Sequence, residues 1–205
     1  ISACLVGSEM CIRDSGYREE PGVAPTSLTD TFVALKLYID NWRWAGVPFY
    51  LRTGKALPKR VTEIAVQFKR APFSMFRATA ATTLEPNVLA MRIQPDEGIV
   101  LKFGAKVPGP DIAIRSVNMD FLYGASFDME VADAYERLLL DCMLGESTLF
   151  TREDEVQAQW ALIDEIVDNW QHQAEPKLPN YAAGTWGPEQ AHRFIERDGR
   201  SWRKL

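Results

Sequence analysis

Between residues 31 and 39 the side chains fall into two interleaved sets, Phe32, Ala34, Lys36 and Tyr38 against Val33, Leu35, Leu37 and Ile39, rich in β-branched and aromatic types. This period of two predicts a strand buried on one or both faces, although helical spacing would also group Phe32, Leu35 and Ile39. Residues 40–46 predict a turn or helical corner stopped by Gly46 and Pro48, with Trp42 and Trp44 as core anchors or as a ligand cage. A short strand follows at 47–51. Alternation recurs at 61–69, where Ile64, Val66 and Phe68 are interleaved with Glu63, Ala65 and Gln67, and again at 88–94, 98–103 and 112–122, with 104–110 as a loop. Strands therefore succeed one another without regularly interposed helices, which predicts a large, mostly antiparallel sheet rather than βαβ units.

Helical spacing takes over at 131–144, where Val131, Ala134, Tyr135, Leu138, Leu139 and Cys142 recur before Gly145 stops the run. Thr151, with Asp154 three residues on, is the expected cap of a second helix whose stripe is Val156, Trp160, Ile163, Val167 and Trp170. Both helices are expected on one face of the sheet, which makes the fold α+β. The tail from Pro176 is rich in turn residues and aromatics, with a short amphipathic helix near 189–197.

A chain of 205 residues, 46% of them hydrophobic, can bury a sizeable core in one large or two small domains. Its net charge of −5 argues against a broad nucleic-acid footprint, yet leaves room for a small anionic ligand at a local basic cluster. No apolar run reaches the roughly 18–20 residues needed to span a bilayer, so no membrane partner is expected and the cytoplasm is the default compartment. Cys4, Cys11 and Cys142 form no CxxC pair, and His172 and His192 lie far apart, so neither a disulfide framework nor a metal site is indicated. Cys142 is expected to be a small buried side chain on the apolar side of its helix. Residues 1–15 differ in character from everything after them and resemble translated sequencing-adapter read-through, which sets them apart from residues 16–205.

The strongest chemical signal is residues 51–60, Leu-Arg-Thr-Gly-Lys-Ala-Leu-Pro-Lys-Arg, where four cations fall within nine residues of an otherwise acidic protein. They follow the end of a strand, and Gly54 lets the backbone turn or approach a ligand closely. Lys55 offers a point charge, and Arg52 or Arg60 a planar fork suited to phosphate oxygens. A solvated basic turn would show the same composition. No complete catalytic constellation accompanies the cluster.

Residues 31–38 (TFVALKLY), 44–55 (WAGVPFYLRTGK), 133–138 (DAYERL) and 181–188 (YAAGTWGP) together resemble the C-terminal domain of glucose-6-phosphate dehydrogenase, in a form with the tail of bacterial members. The resemblance implies an enzyme that oxidises glucose 6-phosphate to 6-phosphogluconolactone, the first step of the pentose phosphate pathway, with hydride passing to NADP. It further implies that the coenzyme's Rossmann-type domain, with the catalytic base, lies upstream, because none of that domain's motifs occurs here. No catalytic residue is therefore assigned. The family's two cationic substrate contacts fall on Lys55 and Arg60, and Gln94 matches a position near the substrate pocket, where a strand-end glutamine is otherwise structural. Some members hold a second, structural NADP against the sheet. Arg52, Arg92, Lys102 and Asp120 match contacts of that site, whereas Val61 and Val100 replace a lysine and a tyrosine there, and ordinary sheet-surface charge is the alternative. The family's sheet also forms a dimer interface, so a homodimer or a dimer of dimers is expected. Set against an enzyme portion inactive by itself are a non-catalytic phosphosugar-binding module and a dimerisation domain with an inert loop.

Overall fold

The computed structural model describes residues 3–5, 11–14, 17, 20–27, 29–70, 85–111, 113–127, 134–171 and 180–205. In chain order the elements are β1 (Ala3–Leu5), β2 (Cys11–Asp14), β3 (Phe32–Ile39), β4 (Phe49–Gly54), β5 (Thr62–Gln67), β6 (Val88–Gln94), β7 (Gly98–Lys106) and β8 (Ile114–Leu122). They continue with α1 (Tyr123–Phe127), α2 (Ala134–Leu144), α3 (Glu153–Gln171), β9 (Asn180–Tyr181) and α4 (Glu189–Glu196). The fold is α+β, and its strands divide between two mostly antiparallel sheets rather than forming one. Each sheet belongs to its own compact unit, the first made of residues 1–59 and 145–204, the second of 60–144 with residue 205.

In the first unit β3 is central. It pairs antiparallel with β4 along one edge, from Phe32 opposite Gly54 to Leu37 opposite Phe49, and with β1 and β2 in succession along the other. β9 adds parallel to β2. Period two separates the faces of this pair: Phe32, Ala34, Gly54, Arg52 and Tyr50 share one, and Val33, Leu35, Leu51 and Thr53 the other. On the first face Phe32 (1% exposed) and Ala34 (0%) form the core with Tyr181, Ala191 and Phe194, flanked by Tyr50, Leu57 and Trp202. On the second, Ile163, Ile166 and Trp170 of α3 face the strands across an apolar cavity of about 320 Å³. The segment 31–39 is thus a strand buried on both sides over its first half, not a helix.

The chain's end is fastened to β3 and β4 by polar contacts. Lys36 Nζ lies 2.7 Å from Asp198 Oδ2, and the Tyr50 hydroxyl donates to the same carboxylate. Hydrogen bonding from Lys36, then from Tyr50, holds Asp198 below the ordinary aspartate value. Burial, reinforced by the bond to Asp198, pushes the Tyr50 phenol up to about 12. Stability from the depressed carboxylate is complete above pH 3.8 and is lost as pH falls through its lower folded value. Stability from the raised phenol is complete below pH 10.0 and is lost as pH climbs towards 12. Urea midpoints measured against pH should therefore drop on both sides, and Asp198→Asn should flatten the acid limb; an acid limb as steep in the variant as in the wild type would show that other groups govern it.

The second sheet is a meander, β5-β6-β7-β8, with antiparallel pairing throughout. The register puts Ile64, Met91, Ile99 and Phe121 in one cross-strand row and Val66, Leu89, Leu101 and Met119 in the next, on a single apolar face. Much of it meets solvent: Met119 is 61% exposed and Ile64 53%. The opposite face carries Arg92, Lys102 and Asp120 around buried Ala90 and Val100.

Three local expectations are corrected. Cys142 is exposed, because α2 turns Asp141, not Cys142, inward, and Arg137 Nε compensates that buried carboxylate at 2.9 Å. Trp42 is fully exposed, and only Trp44 packs, edge-on to Phe49 with centroids 5.4 Å apart. α3 starts past Thr151: the Arg152 backbone N–H donates to Glu155 Oε2 at 3.2 Å, the reaching-back half of a capping box one residue downstream. Residues 131–133 and His172 lie outside the described residues.

Candidate functional site

β4 runs two residues past Arg52 and ends at Gly54, so the basic stretch begins inside the strand. Packing requires a glycine at position 54: a Cβ there would lie 2.7 Å from Phe32 Cδ2. Beyond it the backbone is tied down residue by residue. The Lys55 N–H donates to the Thr31 carbonyl at 2.8 Å, and the Tyr181 hydroxyl donates to the Lys55 carbonyl at 2.7 Å. Ala56 adopts φ 49°, a left-handed conformation uncommon for a side chain with a Cβ, and the Gly184 N–H reaches its carbonyl at 2.7 Å. Leu57 then packs on the Phe32 cluster.

Lys55 leaves this anchored turn exposed, and Arg60, five residues on, is exposed where the second unit begins. Neither has an ion-pair or hydrogen-bond partner for its side chain among the described residues. The contrast with other cations is sharp: Lys36 is paired with Asp198, Lys102 with Glu85 and Arg137 with Asp141. An uncompensated ammonium on a fixed backbone is what an anionic ligand requires, since the charge is available and little ordering remains to be done.

Arg52 is differently placed. Its guanidinium lies between the indoles of Trp186 and Trp202, at 5.1 and 4.9 Å, and its Nη2 donates to the Arg203 carbonyl at 3.1 Å. Burial pulls it below the ordinary arginine value. Arg92, Lys102 and Asp120 share one face of the second sheet, with Lys102 bound to Glu85. Gln94 closes β6, and its Nε2 donates to Thr62 Oγ1 at 2.9 Å where the β5–β6 register shifts. No group of three or more His, Cys, Asp or Glu among the described residues could hold a metal ion.

Two features escaped sequence reasoning: the indole pair around Arg52 and the tail's grip on the Lys55 turn. Tyr181 stands 126 residues from Lys55, and no local pattern links them.

The family described as "Glucose-6-phosphate dehydrogenase, C-terminal domain" matches residues 6–203. Among relatives, glucose-6-phosphate 1-dehydrogenase of Chlamydia pneumoniae is 50% identical over 192 residues, which cover 93% of this chain and 38% of the relative. The Chlamydia trachomatis serovar D protein of the same name is 50% identical over 190 residues, covering 92% and 43%. Among solved structures, glucose-6-phosphate 1-dehydrogenase from Mycobacterium avium superposes with a TM-score of 0.80 at 36% identity, covering 99% of this chain and 42% of that one. A glucose-6-phosphate dehydrogenase in complex with its substrate glucose 6-phosphate gives 0.81 at 32%, covering 98% and 41%. The chain thus spans roughly two fifths of the length of the relatives it matches. With sequence and fold agreeing over nearly its whole length, the chain belongs to the glucose-6-phosphate dehydrogenase family and carries that family's C-terminal domain.

Proposed function

We propose that this chain contributes the sugar-phosphate contacts and the assembly sheet of an enzyme that oxidises D-glucose 6-phosphate to 6-phospho-D-glucono-1,5-lactone in the cytoplasm, with reduction of NADP. The observation that carries this reading is Lys55: an ammonium without an ion-pair or hydrogen-bond partner among the described residues, on a turn whose backbone is hydrogen-bonded on both sides. Lys55 is the phosphate contact on which this reading rests, and Arg60 and Gln94 are further substrate contacts that the family resemblance implies. NADP would accept the hydride from C1 of the sugar while a base would take the C1 hydroxyl proton, and no residue of this chain is assigned to hold either. This chain's own work is to bind and orient the phosphate end. Weighing against a second, structural NADP on the sheet are the commitments of Arg52 to two indoles and a carbonyl and of Lys102 to Glu85. No step depends on it.

The apolar face of the second sheet supports a second copy of the chain as partner. Monomeric proteins seldom leave so contiguous an apolar surface in water. Among the described residues no helix is long and apolar enough to cross a membrane.

The test is a chimera in which residues 16–205 replace the matching part of the Chlamydia pneumoniae relative, assayed for glucose 6-phosphate-dependent NADPH formation and sedimented at micromolar concentration. Turnover by a dimer is expected, with none from the 205-residue chain alone. A folded chimera that binds the sugar phosphate without turning it over would favour a non-catalytic phosphosugar module, and a monomer would remove the partner assigned to the sheet.

A further inference from the structure

We propose that Tyr181 is a positioning residue for the phosphate contact, acting through the backbone of Lys55; this rests on the reading of Lys55 given above. Tyr181 sits on β9, 4% exposed, its ring edge-on to Phe32 with centroids 5.6 Å apart. Its hydroxyl lies 2.7 Å from the Lys55 carbonyl oxygen and 3.1 Å from that of Thr31. A phenol has one proton to donate, and the shorter contact, to the Lys55 carbonyl, takes it, while the Thr31 oxygen accepts the Lys55 N–H at 2.8 Å. Lys55 is therefore held at both backbone ends, through its N–H by β3 and through its carbonyl by the tail.

The next residue explains why two anchors are needed. Ala56 sits at φ 49°, where an L side chain is disfavoured and from which an unrestrained turn would relax. Relaxation would swing the Lys55 carbonyl out of the core and redirect the ammonium. Tyr181, together with the Gly184 N–H on the Ala56 carbonyl, keeps the strained conformer populated. A lysine with a long flexible stem binds an anion well only if its starting point is fixed, because any remaining freedom is lost on binding. The tail from β9 onward thus sets the direction of the Lys55 side chain through that residue's backbone.

Tyr181→Phe removes only the hydroxyl and keeps the ring on Phe32. Three readouts on the 205-residue chain test the idea: backbone amide exchange over residues 53–58, calorimetric Kd for glucose 6-phosphate, and Tm. Ile195→Val, in the buried face of α4, serves as a comparably destabilised control, and Lys55→Ala reports whether the ammonium binds the ligand at all. Tyr181→Phe should speed exchange in the turn and raise Kd about tenfold, the scale of one lost hydrogen bond, while Ile195→Val leaves both unchanged. Unaltered exchange would overturn the brace, and faster exchange with an unaltered Kd would overturn its positioning role. If wild type and Lys55→Ala bind glucose 6-phosphate alike, the phosphate reading itself fails and this role falls with it. That outcome is recognisable because amide exchange is read without ligand.

Discussion

Replacing Gly187 by alanine should destabilise the first unit by about 2–6 kcal/mol, a large share of a typical domain stability of about 5–15 kcal/mol. Two costs add. Gly187 has φ +97°, a conformation that a residue with a Cβ adopts at a cost of about 1–3 kcal/mol. The new Cβ would also stand 2.3 Å from Phe32 Cε2 and 2.6 Å from Cζ, and overpacking of that kind costs about 1–3 kcal/mol. Phe32 is also pressed against Gly54, where a Cβ would approach Cδ2 to 2.7 Å. The ring thus packs closely on two glycines separated by more than a hundred residues. Gly54→Ala should do less harm, since that position lies in a strand at an ordinary φ and only the overlap counts. Phe32→Leu made in the Gly187→Ala background should recover part of the loss. Denaturant midpoints followed by tryptophan fluorescence would check all three, and a Gly187→Ala chain as stable as wild type would show that the Phe32 ring does not occupy this slot.

Alternation alone locates most strands, and β6 to the residue, because successive strand side chains point to opposite faces of the sheet, a period that short-range sequence must obey. The same rule underestimated β7, whose pairing with β8 carries on through Gly104 to Lys106 where glycine and lysine suggest a loop. Helical periodicity found α2 but misjudged its inward side. Apolar spacing favoured Cys142, whereas the residue buried is Asp141, and its burial depends on an arginine partner that a hydrophobicity pattern does not register. Division of the strands between two sheets was also hidden, since each strand's own pattern is the same whichever sheet it joins. At the site, charge density pointed to the basic stretch from Arg52 to Arg60, and it was the family resemblance that singled out Lys55 and Arg60 within it. Gly54 was noticed as well, but for closeness to a ligand, when the neighbour that requires a bare Cα is Phe32. What stayed illegible were long-range devices: Tyr181 on the Lys55 carbonyl, and Trp186 with Trp202 around Arg52. Side chains far apart in the chain meet only through the fold, so no window of local sequence contains them.

Lys55→Ala should raise the Kd for glucose 6-phosphate by about ten- to a hundredfold, the equivalent of one charge-assisted hydrogen bond of about 1.5–3 kcal/mol. The reasoning depends on where the ammonium stands before the ligand arrives. A lysine already bound to a carboxylate, as Lys102 is to Glu85, gives up one partner to take another and gains little. Among the described residues Lys55 has no such pair to break, and its turn is ordered beforehand, so most of the attraction appears as affinity. Because the contact is ionic and exposed, the wild-type Kd should weaken with added salt, and the variant's Kd should respond less. Arg60→Ala, measured alongside, should also weaken binding. Lys55→Arg should recover only part of the affinity, because a planar fork on a longer stem does not reproduce a point charge at the same spot. Glucose without its phosphate is the decisive comparison. If Lys55 grips phosphate, the variant should lose preference for glucose 6-phosphate over glucose, with binding of the unphosphorylated sugar nearly unchanged. Equal losses for both ligands would place Lys55 against the sugar ring or in the fold, and no loss for either would make the basic turn a solvated surface feature.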